Sequence, residues 1–172
     1  MTLSRTGALR LRLDGGYDPA VVAEGSPAPD FELASDTGDR IRLSSLRGRP
    51  VVLYFYPKDD TPGCAKQACG IRDAWDAYEE TGAVVLGVSP DGETSHAEFR
   101  SKYSLPFTLL ADPDHDVAEA YGVWVELNTA GNTFMGNERT TFVIGADGVV
   151  TKIMRKVDPE LHTADVLAAL PS

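Results

Sequence analysis

Apolar residues along the chain fall into two alternating patterns, short unbroken runs and longer stretches with helical spacing. Val51-Val-Leu-Tyr-Phe-Tyr56 is a continuous β-branched and aromatic run, the composition of a strand buried on both faces. Ala83-Val-Val-Leu-Gly-Val-Ser89 is a second such run, and Phe107-Thr-Leu-Leu110 a short third. Thr140–Gly145 and Val149–Met154 flank Asp147-Gly148, a two-residue link that predicts a hairpin. Between the runs, Ala68, Ile71, Trp75 and Tyr78 recur at three- and four-residue spacing, which predicts one helix from Cys64 to Thr81 closed by Gly82. Ser95-His-Ala-Glu98 has capping-box form ahead of Phe99 and Tyr103. Asp112-Pro113 and Asp158-Pro159 each read as an N-cap acid followed by proline at the first helical position. Strands interleaved with helices, then a hairpin and a helix, describe an α/β domain with a mixed sheet covered on both faces.

The first residues stand apart. Residues 1–13 hold Arg5, Arg10 and Arg12 and no acid, and Leu9, Leu11 and Leu13 alternate with the last two arginines. Residues 1–24 are therefore expected to form an N-terminal extension, loosely ordered or docked as an edge strand, with a domain over 25–172. No secretory leader pattern is present. The 16 basic and 26 acidic residues give a net charge of −10. Such a surface repels phosphate backbones and argues against a general nucleic-acid binder. No run approaches the roughly 18 apolar residues of a membrane-spanning helix. The expected compartment is the cytoplasm, where thiols are kept reduced and cysteine pairs are usually catalytic.

Two cysteines are too few for a disulfide scaffold, so each needs an explanation of its own. Cys64 follows a buried strand and a turn, Pro57-Lys-Asp-Asp-Thr61-Pro-Gly, and opens a helix. Thr61 can cap that helix and Pro62 can occupy its first turn. A thiol there meets unpaired backbone N–H groups and the positive end of the helix dipole, and both favour thiolate. An inert, buried cysteine is the alternative. Cys69 is five residues on. In an intact helix that step rises about 7.5 Å and leaves the Cα atoms roughly 8.6 Å apart, beyond the ~7 Å limit of a disulfide. A bond between them would require the first helical turns to unwind, which Gly70 would ease. Cys69 reads equally well as a resolving thiol or as a small residue on a helix face.

Other motifs are missing or incomplete. There is no Cys-x-x-Cys of the dithiol reductases, no Walker sequence and no Gly-x-Gly-x-x-Gly. Gly87-Val-Ser89-Pro-Asp91 lacks the closing glycine of a hydrolase nucleophile elbow. His96, His115 and His162 read as isolated, exposed residues at helix starts, and Asp59 and Asp60 as acids that solvate the turn. A metal site combining Cys64, Cys69 and a histidine lacks zinc-type spacing, so neither metal nor cofactor is expected. On its own, Arg139 reads as a strand-entry cation paired with Glu138 or Glu126.

Tyr54-Phe-Tyr-Pro57-Lys-Asp-Asp-Thr61-Pro-Gly-Cys64, with Cys69 behind it, closely resembles the peroxiredoxin Q subfamily, also called bacterioferritin comigratory proteins. The likeness extends from Ala28-Pro-Asp-Phe31 through Ser45-Leu-Arg-Gly48 and Val117–Trp124 to Met135-Gly136 and Arg139-Thr-Thr-Phe142. The resemblance implies a thioredoxin-like fold and a thiol peroxidase acting on hydrogen peroxide and organic hydroperoxides. It implies Cys64 as the peroxidatic cysteine and Cys69 as the resolving one. Thr61 would hydrogen-bond peroxide and thiolate, Pro57 would shield the site, and Arg139 would hold the thiolate and polarise the peroxide. Thioredoxin or a similar dithiol would regenerate the enzyme. A monomer is expected, with a dimer as the alternative. Ala65 and Gln67 stand where the subfamily commonly has Thr and Glu, so the usual anchor of the arginine is not carried over. A redox-switched binding protein and a purely structural domain with inert cysteines are the competing function classes.

Overall fold

The computed structural model describes residues 22–160 and 162–170. The expectation for residues 1–24 therefore lies, except for its last three residues, outside the described chain. A seven-stranded mixed sheet forms the centre, in the order β2-β1-β5-β4-β3-β8-β9. Its strands are β1 (Glu32–Ser35), β2 (Arg40–Arg42), β3 (Val51–Phe55), β4 (Val84–Ser89), β5 (Thr108–Ala111), β8 (Thr140–Ile144) and β9 (Val150–Met154). β3, β4 and β5 run parallel, while β8 lies antiparallel to β3 and β1 antiparallel to β5. The helices are α1 (Pro62–Asp73), α2 (Trp75–Thr81), α3 (Glu93–Tyr103), α4 (Asp116–Ala120) and α5 (His162–Ala169). No described helix is long and apolar enough to cross a membrane.

The unbroken apolar run of β3 divides its side chains between two cores, as a central strand must. Val51, Leu53 and Phe55 face α4 and the segment before β1, where Phe31, Val117 and Tyr121 are buried. Val52, Tyr54 and Tyr56 face the other layer, with Cys64, Ala68 and Ile71 of α1, Tyr78 of α2, Phe99 of α3 and Val166 of α5. Every residue of β3 is buried. The start of α1 is thereby fixed beside the end of the innermost strand.

Several local expectations are corrected. The helix expected from Cys64 to Thr81 starts at Pro62 and breaks at Ala74 (φ −105°, ψ 20°), whose N–H is shared between Gly70 and Ile71 carbonyls. The break lets Trp75 pack against both Tyr78 and Phe107, at ring-centroid distances of 6.1 Å. Gly82 closes α2 in the left-handed region as expected (φ 73°). The N-cap of α3 is Gly92 rather than Ser95, because the Ser95 hydroxyl is taken by Asp59. Asp112 caps α4 from outside, accepting the N–H groups of Val117 and Ala118 at 3.3 and 2.9 Å, while His115 occupies the N-cap. Asp158 accepts Glu160 N–H at 2.9 Å, and α5 begins only at His162. Neither proline thus opens a helix.

The β8–β9 hairpin forms, but through a Gly145–Gly148 turn with Gly148 at φ 84° and a bulge at Val143/Ile144, not through a two-residue link. A second hairpin was not anticipated. β6 (Trp124–Thr129) and β7 (Asn132–Asn137) pair apart from the main sheet. They are joined by Ala130 and Gly131, both with positive φ. Residues 128–137 are therefore largely strand.

Candidate active site

β3 delivers the chain into Tyr56–Thr61, and this loop turns back into α1. Thr61 occupies the N-cap position with extended backbone (φ −85°, ψ 155°), and Pro62 follows in the first turn. The Thr61 carbonyl accepts Ala65 N–H at 2.8 Å, the first bond of the helix. Its hydroxyl does not cap the helix as expected, but donates to the Lys58 carbonyl at 3.0 Å. That bond tightens the loop and leaves the first-turn amides, Cys64 included, without a side-chain acceptor. Cys64 is buried, with 2 % of its surface exposed.

Arg139, just ahead of β8, reaches this thiol. Its Nη2 donates to Cys64 Sγ at 3.4 Å and its Nη1 to Gln67 Oε1 at 2.6 Å. Gly63 makes the approach feasible, since a Cβ there would lie 3.0 Å from Nη2. The pairing of Arg139 with Glu138 or Glu126 is not found. Among the described residues the nearest base to Glu138 is Arg155, at 3.9 Å, and no carboxylate lies within salt-bridge distance of Arg139. Gln67 does orient the guanidinium, from a fully buried position on α1, so an uncharged amide serves where sequence pattern left the anchor open. Because Arg stays charged across the working range, the arrangement places a fixed cation and a helix N-terminus on one sulfur.

Pro57, Arg139, Asn137, Val125, Leu127 and Val157 line an open cleft of about 590 Å³ beside this centre. Of the five residues singled out for chemistry, the structure brings Cys64 and Arg139 into contact and puts Pro57 beside Arg139. Thr61 stands one turn before Cys64, and Cys69 is half-buried farther along the same helix. Both cysteines are free thiols, and α1 is continuous between them. Cys69 is thus held at helical distance from Cys64.

Three residues near the centre were read differently from sequence. Asp59 does not solvate the turn but is 7 % exposed, and His96 and His162 are fully buried rather than exposed. Asp59 receives hydrogen bonds from Tyr56 and Ser95. Asp60 is exposed, as expected, and binds Lys102 and Tyr103 at 2.7 Å each. His162 lies 2.7 Å from Thr141 Oγ1 through Nε2. Burial, and then the Arg139 cation, lower its pKa to about 4, so the ring is neutral. Burial, followed by the charges of Cys64 and Asp59, pushes the Tyr54 phenol well above its ordinary range. The surroundings of Cys64 therefore hold a permanent cation, a neutral imidazole and neutral phenols.

Comparison with known proteins gives consistent likenesses. The profile of the AhpC/TSA family matches residues 25–153. The chain is 46 % identical over 146 residues to peroxiredoxin Bcp of Bacillus subtilis, covering 85 % of this chain and 93 % of that protein. It is 45 % identical over 152 residues to the chloroplastic peroxiredoxin Q of Oryza sativa subsp. japonica, covering 88 % and 68 %. Among solved structures, the Xanthomonas campestris bacterioferritin comigratory protein, studied for alkyl peroxide reduction, superposes with a TM-score of 0.76 at 35 % identity, over 81 % and 88 % of the two chains.

Proposed function

The chain belongs to the AhpC/TSA family, as a thiol-dependent peroxidase of the peroxiredoxin Q type with a thioredoxin-like fold, and from that premise we propose a two-cysteine mechanism carried by Cys64 and Cys69. Peroxide and a thiol reductant are its two reactants. Cys64 thiolate attacks one peroxide oxygen in line with the O–O bond. The S–O bond forms as the O–O bond breaks, and the departing alkoxide or hydroxide takes a proton from solvent. Cys64 becomes a sulfenic acid, the first rung of thiol oxidation. Arg139, the Cys64 N–H and the Thr61 hydroxyl stabilise charge on the oxygens, an effect worth about 3–4 kcal/mol per donor in comparable sites. To donate to the peroxide, the Thr61 hydroxyl must leave the Lys58 carbonyl. Pro57 forms a wall of the cleft through which the peroxide enters. Val125, Leu127 and Val157 give that cleft apolar surface, which suits organic hydroperoxides as well as hydrogen peroxide.

The α1 segment then unwinds, and the Cys69 thiol attacks the Cys64 sulfenic sulfur, releasing water and leaving an intramolecular disulfide. Thioredoxin or another dithiol reduces it by exchange. This cycle suits a reducing compartment such as the cytoplasm. The observation that carries the reading is the contact of Arg139 Nη2 with Cys64 Sγ at 3.4 Å, at the first turn of a helix.

The test is intact-mass spectrometry after a brief pulse of hydrogen peroxide. The wild-type chain should lose two hydrogens, C69S should gain one oxygen and over-oxidise on longer exposure, and C64S should consume no peroxide. R139A should slow the first step more than tenfold. Turnover in C64S would remove Cys64 from the nucleophile's role, and a two-hydrogen loss within single C69S chains would refute the pairing.

A further inference from the structure

The loop that carries Thr61 into α1 is fastened from behind by a buried polar cluster that the reaction above does not use. Asp59 Oδ1 accepts from the Tyr56 hydroxyl at 2.6 Å, and Oδ2 accepts from the Ser95 hydroxyl at 2.8 Å. Oδ2 also lies 2.7 Å from His96 Nδ1. The Asp59 N–H donates to Asp91 Oδ2 at 2.7 Å, and Ser89 donates to the same oxygen at 2.7 Å. On its far side, His96 Nε2 lies 2.9 Å from the Leu110 carbonyl. The imidazole is fully buried and the carboxylate nearly so.

Hydrogen-bond accounting fixes the protons. A carbonyl only accepts, so Nε2 carries a hydrogen. A contact of 2.7 Å between Nδ1 and a carboxylate oxygen also needs a hydrogen between the two lone pairs. The ring thus bridges the Asp59 carboxylate and the β5 backbone, with one hydrogen-bond partner on each nitrogen. Asp60, the next residue, adopts a left-handed conformation (φ 57°) and is tied to Lys102 and Tyr103 of the same helix, α3.

We propose that His96 and Asp59 are positioning residues for the peroxide reaction: the imidazole of α3 holds the Asp59 carboxylate, and through it the Thr61–Cys64 turn, in reactive register with Arg139. This assignment rests on Cys64 being the peroxide-reactive thiol. It separates the two ends of the His96 ring. The Nδ1 end serves the reaction, and the Nε2 end only joins α3 to β5.

Two amide substitutions separate those ends, because Asn places a donor near the Nδ1 position and Gln near the Nε2 position. The measurement is the single-turnover rate of Cys64 oxidation by hydrogen peroxide, quenched by alkylation and read by mass. H96N, which keeps the donor toward Asp59, should stay within threefold of wild type. H96Q, which keeps only the donor toward Leu110, should slow tenfold or more, as should D59A. The double variant D59A/H96Q should be no slower than either single one. S95A, which deletes one hydroxyl with little change of shape, should slow the step two- to threefold, and it decides the matter if the His96 and Asp59 variants fail to fold. Wild-type rates in H96Q or S95A, or equal slowing in H96N and H96Q, would overturn the positioning role while leaving Cys64 as nucleophile. An unreactive Cys64 in the wild-type chain would instead overturn the underlying reading and this assignment with it.

Discussion

His96 and His162 are both fully buried and both lie within the first four residues of a helix, yet their rings meet opposite surroundings. His96 has a partner on each nitrogen, one of them a carboxylate. His162 has Thr141 on Nε2, and its Nδ1 finds no partner among the described residues. The nearby charge is the Arg139 cation, which opposes protonation. The two buried rings therefore differ in the nearest ionisable group, a carboxylate for His96 and a guanidinium for His162. The two rings also flank different parts of the centre. His96 backs the loop that leads into Cys64, whereas His162 opens α5, whose next residue, Thr163, touches the α1 surface at Gly70.

The largest effect expected from this contrast is on stability at neutral pH. H96L strips a hydrogen-bond partner from the buried Asp59 carboxylate and another from the Leu110 carbonyl, a loss of about 3 kcal/mol. H162L removes a neutral ring and strands only the Thr141 hydroxyl, a loss of about 1–2 kcal/mol. Urea unfolding of both variants at pH 7 measures the difference. Equal losses would mean that the two sites are not electrostatically distinct.

Acid sharpens the contrast. The pKa of His162 falls from 6.5 to about 4 on folding, so between those values the unfolded chain binds a proton that the folded chain refuses. The resulting penalty is absent well above pH 6.5, grows as the pH falls toward 4 and levels off below that. The total is about 3 kcal/mol, at ~1.4 kcal/mol per pKa unit. The slope of unfolding free energy against pH between 6.5 and 5, where few carboxylates titrate, should therefore flatten in H162Q. An unchanged slope in that variant would show that the ring is not held neutral.

The two histidines also mark where sequence pattern is informative. The central strands and the strand–loop–helix turn at Cys64 were legible because an unbroken β-branched run, a proline and a glycine each restrict the local backbone. The family motif supplied Arg139, which local pattern alone assigned to a neighbouring glutamate. Burial of His96, His162 and Asp59 was not legible, because it depends on which helix a loop folds against. Ser95 shows the same limit, since the hydroxyl that opens its capping-box pattern is given up to Asp59 across a gap of 36 residues. The β6–β7 hairpin escaped notice because its turn is Ala130-Gly131, with alanine at a positive φ where Asn or Asp is the usual signal. Gln67, standing where the resembled subfamily commonly has Glu, left the arginine's anchor open, yet a neutral acceptor suffices to orient a guanidinium whose charge is directed at sulfur.

The smallest effect tests whether the two sides of α1 govern different steps. Gly70 lies within α1, and a Cβ there would make only an ordinary 3.4 Å contact with Thr163 Oγ1. Alanine thus fits, and it should stabilise the wound helix by about 0.5–1 kcal/mol. Peroxide attack uses the wound form and should proceed at the wild-type rate in G70A. Joining Cys64 to Cys69 requires unwinding through this residue, so disulfide formation should slow up to about fivefold, the factor that ~1 kcal/mol corresponds to. Rapid-quench alkylation resolves the two phases in one experiment. A slower first phase would tie Gly70 to the reactive geometry that the His96 side is held to control. An unchanged second phase would place the unwinding N-terminal to Gly70, so that Cys69 approaches Cys64 with the later turns of α1 still packed on α5.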